Sequence, residues 1–281
     1  MNVTKALIKL SGFADVSVVI PCYRCKNTIK RALDSVYNQT ILPAEVILVE
    51  DASNDGTLEY LNSISKEYSA GWIKVIPLEV NSGPGTARNV GWNASSQPYV
   101  AFLDSDDSWH PQKIEIQYLW MEQHPHVALT GQMGVVISDA VDATSKCYPM
   151  NDVVFSEISK FRLLLSNKFS TPSVLIRREV QYRFTAGKRF CEDYELWCKV
   201  VCAGHICFAV NLPLTFCYKP LYGHAGLSGD LWNMESGELS VYNVLRKNGS
   251  INMAVAFFLK AWSLIRYGRR IIRIKFVTKL S

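Results

Sequence analysis

No window of this chain reaches about 18 uninterrupted apolar residues, so no segment is expected to cross a bilayer as a helix. Met1 to Asp15 lack a charged leader followed by an apolar run and a cleavage site, and no secretory signal is expected. Only Cys22 and Cys25, of eight cysteines, form a C-x-x-C. A second pair that could complete a zinc site is missing, because Cys198 and Cys202 have helical spacing. Reduced thiols in a cytosolic protein are the expectation. Acidic residues are absent from Lys260 to Lys279, where Lys260, Arg266, Arg269, Arg270, Arg273, Lys275 and Lys279 collect. The net charge of +5 is therefore largely a C-terminal property.

What is present describes a folded globular protein: 281 residues, 48% hydrophobic and 20% charged. That length supports one large domain, or one domain with an appendage. Val16 to Ile20 is a β-branched run stopped by Pro21, which reads as a strand buried on both faces. Ile29, Ala32, Leu33 and Val36 recur at helical spacing, predicting an amphipathic helix over Asn27–Asn38. Strands are expected at Val46–Val49, Trp72–Ile76 and Tyr99–Leu103, with helices around Leu58–Ile64 and from Gly83 to Ala94. This alternation predicts an α/β fold with a mostly parallel central sheet flanked by helices.

Ligands of such sheets sit at the carboxyl ends of strands. Three polar clusters fall there: Pro21 to Arg24, Glu50 to Asp55, and Asp104 to Asp107. In an extended backbone Asp104 and Asp106 would share a face, and two close carboxylates call for a cation. Mg²⁺ or Mn²⁺ bridged to phosphate oxygens answers that need; a solvated acidic loop is the plain alternative. Asp51 could accept hydrogen bonds from a nucleobase or ribose, while Ser53 to Gly56 form turn and cap chemistry. Asn81-Ser-Gly-Pro-Gly-Thr-Ala-Arg88-Asn89 sets glycines before a helix with a fixed cation one turn in, suited to a diphosphate or a pyrimidine ring. Glu192 and Asp193 precede a helix carrying Leu196, Trp197, Val200 and Val201. They could simply complement its dipole, or supply a general base beside the metal.

Five segments occur in this order: 16–23, Val-Ser-Val-Val-Ile-Pro-Cys-Tyr; 49–57, Val-Glu-Asp-Ala-Ser-Asn-Asp-Gly-Thr; 81–89; 102–107, Phe-Leu-Asp-Ser-Asp-Asp; and 192–197, Glu-Asp-Tyr-Glu-Leu-Trp. Together they resemble a family 2 glycosyltransferase of the GT-A fold, an inverting bacterial surface-polysaccharide type. Each motif is weak alone, and five in sequence are specific. The resemblance spans about residues 14 to 230. It implies that Pro21 and Tyr23 contact the nucleoside and that Asp51 bonds a uracil-type base, with Glu50 where an aspartate is commoner. Arg88 would lie near the nucleotide. Asp104 would contact the ribose and share the metal that Asp106 binds. Asp193 would be the catalytic base, with Glu192 positioning the acceptor. His224 resembles, loosely, a residue of a loop that closes over the donor phosphates and metal.

The implied partners are a nucleotide-sugar donor, expected to be a UDP-sugar, and a glycan or lipid-linked acceptor, with no nucleic acid. Residues 1–230 would form the catalytic domain, with a nucleotide-sugar half over about 14–110 and an acceptor half over about 111–230. Residues 231–281 would form an amphipathic helical extension, two helices broken at Asn248-Gly249-Ser250. The last helix joins Met253, Phe257, Phe258, Trp262, Leu264 and Ile265 to the cationic run, so 251–279 could lie on an anionic inner-membrane surface at its cytoplasmic face. Packing of that apolar face on the catalytic domain is the other reading. Two further classes compete: a nucleotidyltransferase, which would need a lysine and glycine loop where Cys22-Tyr-Arg-Cys stands, and a non-enzymatic basic binding module.

Overall fold

The computed structural model describes residues 12–137, 146–218 and 230–277, with side chains described only up to residue 272. Its centre is an eight-stranded sheet. In chain order the strands are β1 Phe13–Cys22, β2 Leu42–Glu50, β3 Ile73–Pro77, β4 Tyr99–Phe102, β6 Val127–Gly131, β8 Phe155–Glu157, β9 Leu175–Arg177 and β10 Ile206–Val210. Across the sheet they run β3-β2-β1-β4-β9-β6-β10-β8. Pairing is parallel through β3, β2, β1 and β4, and again between β6 and β10. β9 runs antiparallel to both neighbours, as does β8 at the edge. A second sheet of three short strands, β5 Ser108–Trp109, β11 Thr215–Cys217 and β7 Val135–Val136, sits beside it in the order β5-β11-β7. The sheet is thus mostly parallel, as expected.

The helices follow the same logic. α1 (Ile29–Tyr37) buries Ile29, Ala32, Leu33 and Val36, the stripe that predicts it. α2 spans Thr57–Ile64, and α3 spans Pro84–Ala94 behind Gly83, whose φ of 84° is open to glycine at no steric cost. α3 packs very closely on the sheet at Gly91. A methyl group there would stand 2.3 Å from Val19 Cγ1. Gly91→Ala is expected to lower stability by about 1–3 kcal/mol or more, read from urea unfolding midpoints, because neither strand nor helix has room to yield.

α4 (Lys113–Gln123), α5 (Lys160–Leu165) and α6 (Glu192–Cys202) complete the helices before the C-terminal pair. α7 (Leu231–Lys247) and α8 (Met253–Val277) form the C-terminal pair. Val241, Tyr242, Leu245, Ile251, Ala256 and Leu259 belong to the same core as Trp197, Phe102 and Trp92. The outer face of α8 stays in solvent, with Met253 74% and Phe257 75% exposed and Phe258, Leu264 and Ile265 also exposed. Among the described residues no helix is long and apolar enough to cross a membrane.

Candidate active site

β1, β2 and β4 all end at one edge of the sheet, and the residues that follow them line a cavity of about 830 Å³. Pro21 and Tyr23 come from the end of β1, Asp51 from the end of β2, Arg88 from α3 and Asp104 and Asp106 from the end of β4; Glu192 and Asp193 open α6. All eight face this space. Glu50 does not: its carboxylate turns back, accepts the Ser53 backbone N–H at 2.8 Å, and shapes the loop. His224 lies outside the described residues.

Asp104 and Asp106 do not lie in extended backbone, contrary to the strand expected there. β4 stops at Phe102, and the next residues form a turn closed by the Asp107 N–H donating to the Asp104 carbonyl at 3.0 Å. A turn, not strand alternation, brings both side chains to the cavity. Arg31 of α1 donates to the Asp106 carbonyl and stacks over the Tyr218 ring, 3.6 Å from its centroid. Asp107 points away from the cavity toward Cys217, whose thiol donates to it at 3.4 Å.

Arg88 is the hinge of the charge arrangement. Its Nη2 donates to Asp104 at 2.6 Å and its Nη1 to Glu192 at 3.1 Å. Burial opposes the guanidinium charge, but Asp104 and Glu192 outweigh it and raise the pKa. One fixed cation therefore holds the end of β4 against the start of α6. Asp51 does similar work nearby. It accepts backbone N–H groups from Ser82 at 2.7 Å and Gly83 at 2.8 Å, and the Asn81 amide at 3.1 Å. The loop after β2 and the N-terminus of α3 become one piece.

Asp193 is held by three donors: the Tyr194 backbone N–H at 2.6 Å, Asn167 at 3.2 Å and Thr171 at 3.3 Å. Burial outweighs these bonds and the nearby Arg88 charge, raising its pKa above the ordinary aspartate value. Glu192 is pushed up to about 7, by burial first and the Asp193 charge second, with Arg88 pulling the other way. A carboxylate raised in this way is a stronger base near neutrality. Activity that needs ionised Asp193 should rise with pH along an acid limb set above the usual aspartate range.

Sequence reasoning missed Asn167, Thr171 and Arg31, which touch these groups from distant segments. The only available signal was polarity in otherwise apolar surroundings, as at Asn167 after the α5 leucines. Backbone strain also gathers here. Among the described residues, the non-glycine residues with positive φ are Arg24, Ala52, Asn54 and Cys191, which follow β1 and β2 or precede α6. Such conformations cost about 1–2 kcal/mol each. Cys191→Gly should raise the thermal midpoint, provided the lost thiol contact to the Met234 carbonyl (3.3 Å) is the smaller effect.

An acidic cleft at the carboxyl edge of a mostly parallel sheet, with a buried arginine joining its two halves, defines an α/β group-transfer enzyme with a nucleotide-type site. Residues 17–183 match the model of glycosyl transferase family 2, and the chain belongs to that family. It is a glycosyltransferase. Amylovoran biosynthesis glycosyltransferase AmsE of Erwinia amylovora is 26% identical over 87% of this chain and 91% of its own length. UDP-Glc:alpha-D-GlcNAc-diphosphoundecaprenol beta-1,3-glucosyltransferase WfgD of Escherichia coli is 27% identical over 66% of this chain and 69% of its own. The fold matches that of mannosyltransferase PcManGT from Pyrobaculum calidifontis, solved with GDP-Man and Mn²⁺, with a TM-score of 0.66 at 15% identity. That match covers 92% of this chain and 74% of the other.

Proposed function

We propose that this enzyme transfers one sugar, with inversion, from a UDP-sugar to a hydroxyl of a glycan or lipid-linked acceptor during polysaccharide assembly. The observation that carries the reading is the single cavity in which Asp51, Asp104, Asp106 and Asp193 meet. Asp193 takes the proton from the acceptor hydroxyl as its oxygen attacks the anomeric carbon from the face opposite the leaving diphosphate. One base suffices, and no covalent sugar–enzyme intermediate is needed. Glu192, fixed by Arg88, orients the acceptor. Tyr23 and Pro21 flank the nucleoside, and Asp51 accepts from its base. Two relatives support the donor and acceptor by name: WfgD is named for UDP-Glc and a diphosphoundecaprenol acceptor, and AmsE for amylovoran biosynthesis.

The donor set suits a hard divalent cation such as Mg²⁺ or Mn²⁺, provided the substrate supplies further oxygens. Among the described residues no group of three metal-ligating side chains exists. Two carboxylates completed by diphosphate oxygens and water is the arrangement Mg²⁺ tolerates well. Asp106 would be the principal ligand, with Asp104, which also pairs with Arg88, beside it in the same cavity. When bound, the cation would offset negative charge on the leaving diphosphate. Asp106→Ala is expected to weaken UDP binding in Mn²⁺ while leaving binding in EDTA unchanged. Equal affinities for both proteins in both conditions would remove the metal from the reaction. A screen of UDP-, GDP- and dTDP-sugars for slow metal-dependent hydrolysis identifies the donor.

Residues 1–230 would carry the transfer, and 251–279 would hold the enzyme at the cytoplasmic face of the membrane. The exposed Met253, Phe257, Phe258, Leu264 and Ile265 on the cation-rich α8 favour this placement. Leu259 and Ala256 on the same helix are core residues, so the informative variant keeps the helix whole. Phe257→Ser with Phe258→Ser should sharply reduce pelleting with phosphatidylglycerol vesicles. Unchanged pelleting would show that α8 serves packing alone.

A further inference from the structure

A second cavity, of about 580 Å³, opens at the opposite end of β4 from the acidic cleft, where Pro98 enters the strand. Its wall carries Arg177, Arg178 and Arg183 together with Asn93, Ser96 and Gln181, and Glu179 is its one carboxylate. The two most open cations have no carboxylate partner. Arg178 spends one N–H on the Ser95 carbonyl at 3.2 Å. Arg183 donates through Nε to Asn93 at 3.3 Å and through Nη1 to the carbonyls of Val180 and Tyr182, and lies 4.0 Å over the Trp92 ring. Arg177 is different: its bonds to the carbonyls of Val127, Met121 and His124 close the end of α4.

These contacts fix each guanidinium while leaving N–H groups unspent: Nε and Nη2 on Arg178, and Nη2 on Arg183. Two like charges held near each other by neutral carbonyls repel, and Arg183 has its pKa lowered, by burial first and by Arg178 second. Planar N–H donors from two guanidinium groups lining one cavity match a phosphate-type oxyanion, which can take two bonds from each guanidinium. The cavity is larger than a single phosphate, and the amide and hydroxyl groups of Asn93, Ser96 and Gln181 suit an attached polyol or a second phosphate.

We propose that the cavity lined by Arg178 and Arg183 binds a phosphate-type polyanion, at a site separate from the donor cleft. α3 runs between the two sites, with Arg88 near one and Trp92 at the other. The proposal does not depend on which sugar the enzyme transfers.

The test is isothermal titration of the full chain with inorganic diphosphate in EDTA. Without metal, the carboxylates of the acidic cleft repel this probe, so it reports the arginine site. Saturable binding is expected, weakened about tenfold or more in both Arg178→Gln and Arg183→Gln. Each variant should retain UDP affinity in Mn²⁺. Arg178 is exposed, so its substitution leaves folding intact and keeps the test readable if Arg183→Gln loosens Trp92. No binding by the wild type, or wild-type binding by both variants, overturns the site. A vesicle arm identifies the source of the anion. Parallel loss of pelleting with phosphatidylglycerol, but not phosphatidylcholine, assigns it to a lipid headgroup. Loss of diphosphate binding alone assigns it to a free phosphorylated compound. Either result upholds the site.

Discussion

Asp193→Asn is expected to cut turnover by about 10²-fold or more while UDP affinity in Mn²⁺ stays near the wild-type value. Asparagine preserves the shape of the side chain, and its Oδ1 can still accept from Asn167 and Thr171, although the bond from the Tyr194 N–H is lost. What disappears is the ability to take a proton. Burial has already made Asp193 a better base than a surface aspartate, which makes its replacement costly. Turnover is measured with saturating donor and acceptor, and nucleotide affinity by titration. A variant transferring sugar at the wild-type rate would place the base elsewhere.

Arg88→Met should lower stability substantially at neutral pH. It leaves Asp104 and Glu192 at the two ends of an empty bridge, with their shared cation gone. Removing one partner from a buried ion pair costs about 3–5 kcal/mol, since the remaining charge stays desolvated. The loss carries a pH signature with a definite sign. Glu192 already titrates at about 7 with Arg88 present, above its ordinary value. Without the arginine its folded-state pKa rises further, so the stability deficit is small at acid pH, where Glu192 is protonated, and grows as pH rises through that value. Urea unfolding at pH 5 and pH 8 measures it. A double variant, Arg88→Met with Glu192→Gln, should recover much of the deficit at pH 8.

The first hundred residues were legible because each element announces itself through one face. Val16 to Ile20 and Val46 to Val49 are unbroken apolar runs, and α1 shows a clean stripe. The strand-end rule then placed Asp51, Asp104 and Asp106 on one edge without any tertiary information. Residues 108–123 gave no such sign. α4 is buried nearly all round, through Lys113, Ile114, Ile116, Gln117, Tyr118, Leu119 and Met121, so no periodic contrast of polar and apolar positions survives. Strands of two or three residues, such as β5, β7 and β11, are set by their partners rather than by their own composition. Arg88 illustrates the limit best. Sequence places a cation beside a phosphate site, yet its contacts with Asp104 and Glu192 depend on residues 16 and 104 positions away.

The antiparallel β9, wedged between β4 and β6, has a mechanical consequence. It joins the β3-β2-β1-β4 strands to the β6-β10-β8 strands in one continuous hydrogen-bonded plate, so the two sides have no seam on which to swing. Rigid-body jaw closure, the commonplace way for a two-lobed enzyme to trap its reactants, is denied to this molecule. Whatever shields the reacting centre must come from local rearrangement of loops and side chains at the rim. Crystals grown with and without UDP should therefore superpose across the whole plate.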